Sequence, residues 1–274
     1  MIIRYLELMR FDKPIGTVLL FWPVCWALLF AYHNHPPLNV VILFTVGVIL
    51  TRAAGCIIND LCDRSIDLHV ARTSNRPLAN GSVTVKEASV LLALLCVGLF
   101  GLLFFINATN RIIAIIAAAL TVFYPLTKRF FALPQLVLGI TFNIGVIMVF
   151  VQADVLSASA WCMYAASVLW TFAYDTVYAL ADMTDDKRIG IRSSALSLGH
   201  YVDVAVCGCY VGMFLLLGYG LNTPVFGAII AVLFVLAYYM CGLKAWSKNA
   251  PIAFFKSNAI LGALIAVAVA MVNY

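Results

Sequence analysis

Long apolar runs, interrupted at short intervals by charge, proline or glycine, make up most of this 274-residue chain. The runs approach the ~20 residues that a helix needs to cross a bilayer, and they lack the two-residue alternation of a membrane β-strand. Their boundaries predict helices near residues 14–33, 39–59, 88–106, 111–125, 134–151, 158–180, 203–221, 224–243 and 256–273. The expected fold is all-α, a polytopic membrane bundle of about nine transmembrane helices, with residues 1–274 forming a single integral-membrane domain. The opening MIIRYLELMRFDKPIG is too acidic and too poor in apolar residues for a cleaved signal, and reads as a lead-in helix lying at the interface.

Composition narrows the class further. With 64% apolar and 11% charged residues and a mean hydropathy of +1.03, an ordinary soluble domain is excluded. The net charge of +5 does not indicate nucleic acid, because the basic residues are scattered through short loops rather than gathered in a stripe. They sort by side instead. The N-terminus and the even-numbered loops hold every Lys and Arg except Arg111 and Arg52, so this basic side is expected to face the cytosol. The eight cysteines lie mostly within apolar runs without metal-site spacing and read as small fillers. Trp22, Trp26, Trp161 and Trp246 fall near predicted span ends, where their rings suit the headgroup region.

Two acidic clusters change the picture from membrane protein to membrane site. Asn59, Asp60, Asp63 and Asp67 end the second run, and Arg72 and Arg76 follow. At about 100° per residue, Arg52, Asn59 and Asp63 share one helical stripe and Asp60 and Asp67 a neighbouring one. The second cluster ends the sixth run, with Asp175, Asp182 and Asp186 expected on one stripe and Asp185 beside them. By the loop alternation both clusters reach the same face. Like charges this close resist ionisation unless a cation neutralises them, and an all-oxygen donor set points to Mg2+. Carboxylates ringed by Lys and Arg suit a diphosphate bridged by Mg2+, with Lys128 and Arg129 reaching the same side. Topology alone accounts for Lys86, Arg188, Lys244 and Lys248.

The motifs NDLCDRSID and DTVYALADMTDD resemble the two aspartate motifs of the UbiA family of intramembrane aromatic prenyltransferases. RFDKPIGTVLLFWPVCWAL, RTSNRPLANGSVTVKEA, YPLTKRFFALPQLVLG and KRIGIRSSA look like the branch that prenylates 4-hydroxybenzoate in ubiquinone biosynthesis. The resemblance implies a nine-helix bundle around a central cavity open sideways to lipid. It also implies a polyprenyl diphosphate held through Mg2+ by Asn59, Asp60, Asp63, Asp67, Asp175, Asp182 and Asp186. Arg72, Lys128 and Lys187 or Arg192 match the family's diphosphate contacts.

Ionising an allylic diphosphate requires stabilisation of the leaving group and shelter for the cation, which Tyr124, Tyr174 or Tyr178 could face. Asp63 or Asp175 would take the ring proton. Arg52 lies two turns deeper than Asn59, about 10 Å along the helix, with no acid near it in that run. It is expected to bind the carboxylate of an aromatic acid, 4-hydroxybenzoate. The alternatives are a family member with another acceptor (homogentisate, naphthoate, haem or lipid) and a cation-coupled transporter. No transit peptide is evident, so the expected location is a bacterial inner membrane with the site toward the cytoplasm.

Overall fold

The computed structural model describes residues 2–272, which are helical nearly throughout and contain no strand. In chain order the helices are α1 (Ile2–Leu8), α2 (Ile15–Ala31), α3 (Leu38–Asp67), α4 (Val85–Leu102), α5 (Ala108–Thr127), α6 (Pro134–Phe142) and α7 (Ile144–Gln152). They continue as α8 (Ala158–Ala179), α9 (Met183–Ile189), α10 (Ser194–Leu198), α11 (Val202–Gly220), α12 (Pro224–Met240), α13 (Leu243–Asn249) and α14 (Pro251–Val272).

Local chemistry sets several boundaries. Thr84 and Glu87 form a reciprocal capping box that starts α4, and Asn107 accepts from the Asn110 amide at 2.8 Å to start α5. Proline at the first position opens α6, α12 and α14. Gly242, at φ +84°, provides the left-handed turn where α12 gives way to α13 at a 61° bend.

Each of the nine expected segments contains a helix. By length and apolarity, however, six spans qualify among the described residues, or seven if the bent pair α12 and α13 counts as one. The two expected spans outside that set are α2, which has 17 residues, and α8, whose Trp, Tyr, Ser, Thr and Asp residues lower its hydropathy. α8 is the bundle's inner post. It packs against α11, α6 and α14, and its Trp170, Tyr174 and Val177 belong to the main core.

Trp26 departs from the headgroup role expected of it. It is fully buried, donates from Nε1 to Gly262 O at 2.9 Å, and packs 5.0 Å from Trp170. Trp161 and Trp246 are exposed. The outer helices α4, α5 and α12 turn apolar side chains such as Leu94, Ile115 and Val232 outward, the pattern of a lipid-facing surface.

The fifth expected span is broken at Asn143 into α6 and α7. Asn143 is buried, and its Nδ2 reaches Gly139 O at 2.7 Å and Thr171 Oγ1 at 2.9 Å, which ties the break to α8. A second, smaller core of Leu8, Ile57, Leu78, Val83 and Ala88 docks the lead-in helix α1 onto α3 and the start of α4. Tyr5 donates to Glu87 Oε1 at 3.0 Å and adds to that docking.

Candidate active site

α3 does not stop where its apolar run stops. It continues through the whole first motif to Asp67, so the two stripes read from the sequence are real helix faces. On one face Lys128, just past the end of α5, donates to Asp63 Oδ2 at 2.7 Å and to Asn59 Oδ1 at 3.4 Å. On the other, Arg76 Nη1 donates to Asp60 Oδ1 at 3.1 Å and to Asp67 Oδ2 at 2.8 Å. Asp60, Asp63 and Asp67 are all buried.

The second cluster differs from expectation. The helix ends at Ala179 and a new one starts at Met183, so Asp175, Asp182 and Asp186 do not share a continuous stripe. The intervening turn places Asp182 against Arg72. The Arg72 guanidinium donates from Nε to Asp182 Oδ1 at 2.8 Å, from Nη2 to Asp182 Oδ2, and from Nη1 to the Tyr178 hydroxyl. Two further contacts fasten the acidic loops together. The Ala71 amide donates to Asp185 Oδ2 at 3.0 Å, and Arg188 Nη2 donates to His69 O at 2.7 Å. Asp186 is buried beside Asp182, and this burial with the neighbouring negative charge pushes its carboxyl up to about 6.

A cavity of about 770 Å3 opens between the clusters. Its wall includes Arg52, Asn59, Asp60, Arg72, Lys128, Asp175, Asp182, Asp186 and Arg192, which brings nine of the expected site residues together. Asp63 and Asp67 are buried outside that wall, and Lys187 is exposed on α9 and does not line it. Of the two alternatives at the second cluster, Arg192 is thus the one that faces the cavity. Its backbone amide donates to Lys128 O at 2.9 Å, which stitches this loop to the end of α5.

Aromatic rings form one side of the cavity. Tyr178 and Tyr174 pack on Phe255 with centroids 4.5 and 5.5 Å apart, and Tyr124 lines the same space. Deeper in, Arg52 lies 5.6 Å from the Phe142 ring centroid, and its Nε is buried with no partner. No carboxylate pairs with it among the described residues, as the bare run around it suggested.

Sequence reasoning missed Arg10, which binds Asp60 from the lead-in segment, and named Arg76 beside the first cluster without its role, which is to bridge two motif carboxylates. Lys244 and Lys248 are also more than topological signals, since both pair with the buried Asp203 at 3.3 and 2.7 Å beside the bend between α12 and α13.

Among the described residues no three Asp, Glu, His or Cys side chains converge to hold a metal ion, because most of the carboxylates face cations instead. The donor set still fits Mg2+, which commonly takes only one or two carboxylates and fills its sphere with water and phosphate oxygens. Among the described residues, Asp63 Oδ1 is buried without a partner, and neither Asp175 nor Asp186 has a Lys or Arg within ion-pair distance.

Comparison with known proteins supplies an independent frame. The profile of the UbiA prenyltransferase family matches residues 20–269. The chain is 49% identical over 214 residues to the 4-hydroxybenzoate octaprenyltransferase of Neisseria meningitidis serogroup B, covering 78% of this chain and 72% of that protein. It is 40% identical to the protein of the same name from Ralstonia nicotianae, covering 97% and 94% of the two chains. Its fold is similar to that of a UbiA homolog from Archaeoglobus fulgidus bound to DMAPP and Mg2+, with a TM-score of 0.73 at 16% identity over 98% of both chains. With two acidic clusters across one cavity and a family match along nearly its whole length, this chain belongs to the UbiA prenyltransferase family.

Proposed function

We propose that this chain, acting as one integral-membrane domain, transfers a polyprenyl group from a polyprenyl diphosphate to 4-hydroxybenzoate. The C–O bond of the allylic diphosphate breaks and its electron pair leaves with diphosphate. The ring carbon ortho to the hydroxyl forms the new C–C bond, and the proton it carried passes to a carboxylate.

The single observation that carries this reading is Arg52. Arg52 lines the same cavity as Arg72 and Lys128, and among the described residues its buried Nε has no partner, so one compartment offers cations for both a carboxylate and a diphosphate. A carboxylate on an aromatic ring would satisfy the guanidinium and hold the ring beneath the diphosphate. Arg72, Lys128 and Arg192 would neutralise the departing diphosphate. The faces of Tyr174, Tyr178 and Phe255 would shelter the allylic cation from water. Asp175, which lines the cavity and accepts no hydrogen bond from the described residues, suits the role of base better than Asp63, which is already bound to Lys128.

Asn59 on the cavity wall and Asp63, buried behind that wall and sharing Lys128 with Asn59, with Asp175 and Asp186 from the other cluster, would hold Mg2+, which when bound supplies charge stabilisation to the diphosphate. The reaction would take place at an inner membrane with the site toward the cytoplasm, a placement that the basic loops on that side support. The test is product formation in purified membranes given 4-hydroxybenzoate, a polyprenyl diphosphate and Mg2+, alongside homogentisate and naphthoate acceptors. Prenylated 4-hydroxybenzoate that disappears on chelation supports the proposal. Preference for another acceptor overturns the substrate assignment, and full activity after thorough chelation overturns the metal role.

A further inference from the structure

Arg10 lies outside both aspartate motifs, on the segment that leads into α2, yet it holds one of them. Its Nη2 donates to both carboxylate oxygens of Asp60, at 2.8 and 2.7 Å, and its Nη1 donates to Glu7 O at 2.9 Å. The backbone adopts φ +62°, a conformation that L side chains seldom take without tertiary reason. Asp60 is 1% exposed and also accepts from Arg76, whose same Nη1 serves Asp67. Two arginines and two aspartates thus form a closed row, Arg10, Asp60, Arg76 and Asp67, whose charges cancel.

A buried carboxylate with two guanidinium partners has no unmet demand for another cation. Asp63, one turn from Asp60 on the same helix, keeps Oδ1 without a partner. The two carboxylates therefore differ in kind although they stand in the same motif. We infer that Arg10 is a positioning residue of the diphosphate site. It holds Asp60 so that Asp60 and Arg76 together orient the end of α3, and Asp60 serves as this anchor rather than as a metal ligand. The docked lead-in helix α1, through the Glu7 carbonyl, is then a working part of the site rather than a membrane-surface appendage.

The inference rests on the Mg2+-diphosphate reading of the cavity but not on the identity of the acceptor. A binding test without acceptor separates the two. Full-length protein in detergent is titrated with Mg2+ in the presence of geranyl S-thiolodiphosphate, which does not ionise readily, and thermal stabilisation is recorded. Arg10→Ala leaves buried Asp60 with only Arg76, whose Nη1 it shares with Asp67, and should raise the Mg2+ concentration for half-maximal stabilisation about tenfold. Arg10→Lys should raise it about threefold, since it keeps charge but loses the fork.

Adding Asp60→Asn to Arg10→Ala removes the excess negative charge left beside Arg76, and should restore the melting temperature and bring half-saturation to within about threefold of wild type. Asp63→Asn should abolish the stabilisation. The inference is overturned if Asp60→Asn is as damaging as Asp63→Asn, or if the double variant is no better than Arg10→Ala in either fold stability or Mg2+ response. A wild-type protein that ignores the probe with Mg2+ would overturn the diphosphate reading, and the ligand-free melting cycle would still test the Arg10–Asp60 pairing.

Discussion

Gly16 on α2 and Arg52 on α3 are fitted to each other: a Cβ at position 16 would stand 2.4 Å from Arg52 Nη2 and 2.9 Å from Cζ. The guanidinium occupies space that any other residue on α2 would claim. Two variants follow from this contact. Arg52→Ala should raise the Michaelis constant for 4-hydroxybenzoate about 10- to 100-fold while leaving that for the prenyl diphosphate within about twofold. Gly16→Ala should produce a weaker effect in the same direction, about fivefold, because the flexible end of Arg52 can move aside but loses its aim. Steady-state kinetics with each substrate varied in turn decides the matter, and a shift confined to the diphosphate would remove Arg52 from acceptor binding.

Lys128 and Arg72 hold carboxylates in this structure, and under the proposed function they would exchange them for phosphate oxygens. Lys128→Ala and Arg72→Ala should each raise the Michaelis constant for the prenyl diphosphate about tenfold or more, with the acceptor constant little changed. Lys187→Ala, by contrast, removes an exposed side chain that does not line the cavity, and should leave both constants within about twofold. A Lys187 effect equal to that of Arg72 would show that α9 moves inward when substrate binds.

Asp186 is buried next to Asp182 with no basic partner within ion-pair distance among the described residues, so its charge is a local destabilisation that the proposed Mg2+ role would explain. Asp186→Asn should therefore raise the melting temperature in chelator by about 2–4 °C. The same variant should lose most of the stabilisation given by Mg2+ with a prenyl diphosphate. Differential scanning fluorimetry with and without both ligands measures the two effects in one experiment. A variant that is less stable in chelator would contradict the assignment.

Helix packing at the far side of the bundle offers a test of fold alone. Gly227 on α12 faces Gly218 on α11 so closely that a Cβ on Gly227 would lie 2.7 Å from Phe214 O and 2.8 Å from Gly218 Cα. In a bilayer such close approach replaces the hydrophobic drive that holds soluble helices together. Gly227→Ala must push backbone, and should cost about 1–3 kcal/mol. Gly208→Ala meets nothing within 4 Å and should be neutral or slightly stabilising. Thermal or denaturant unfolding of the two variants compares them directly.

Much of the site was legible because helices keep residue spacing. Asn59 and Asp63 fall on one face and Asp60 and Asp67 on the next, and the structure serves each face with its own cation, Lys128 and Arg76. The same rule failed for Asp175, Asp182 and Asp186, where the chain turns between Ala179 and Met183. No proline or glycine marks that turn. It is held by contacts with the first cluster, chiefly Arg72 with Asp182, which local propensity does not encode. Trp26 was misplaced for a similar reason, since only the approach of α14 offers its Nε1 the Gly262 carbonyl inside the bundle.

The sequence by itself determined that this is a membrane bundle, that its basic residues sort into one set of loops, and that two acidic clusters and Arg52 are candidates for one site. Those properties depend on apolar run length, loop charge and helical period, all of which are local. Tertiary structure alone decided which carboxylates are already neutralised. Asp60 belongs to Arg10 from the lead-in segment and Asp182 to Arg72 from the opposite loop, while Asp63 keeps an oxygen and Asp175 and Asp186 their charge without an ion-pair partner. The reason is physical. The fate of a buried charge is set by the cation that reaches it through space, and those cations come from parts of the chain far away in sequence.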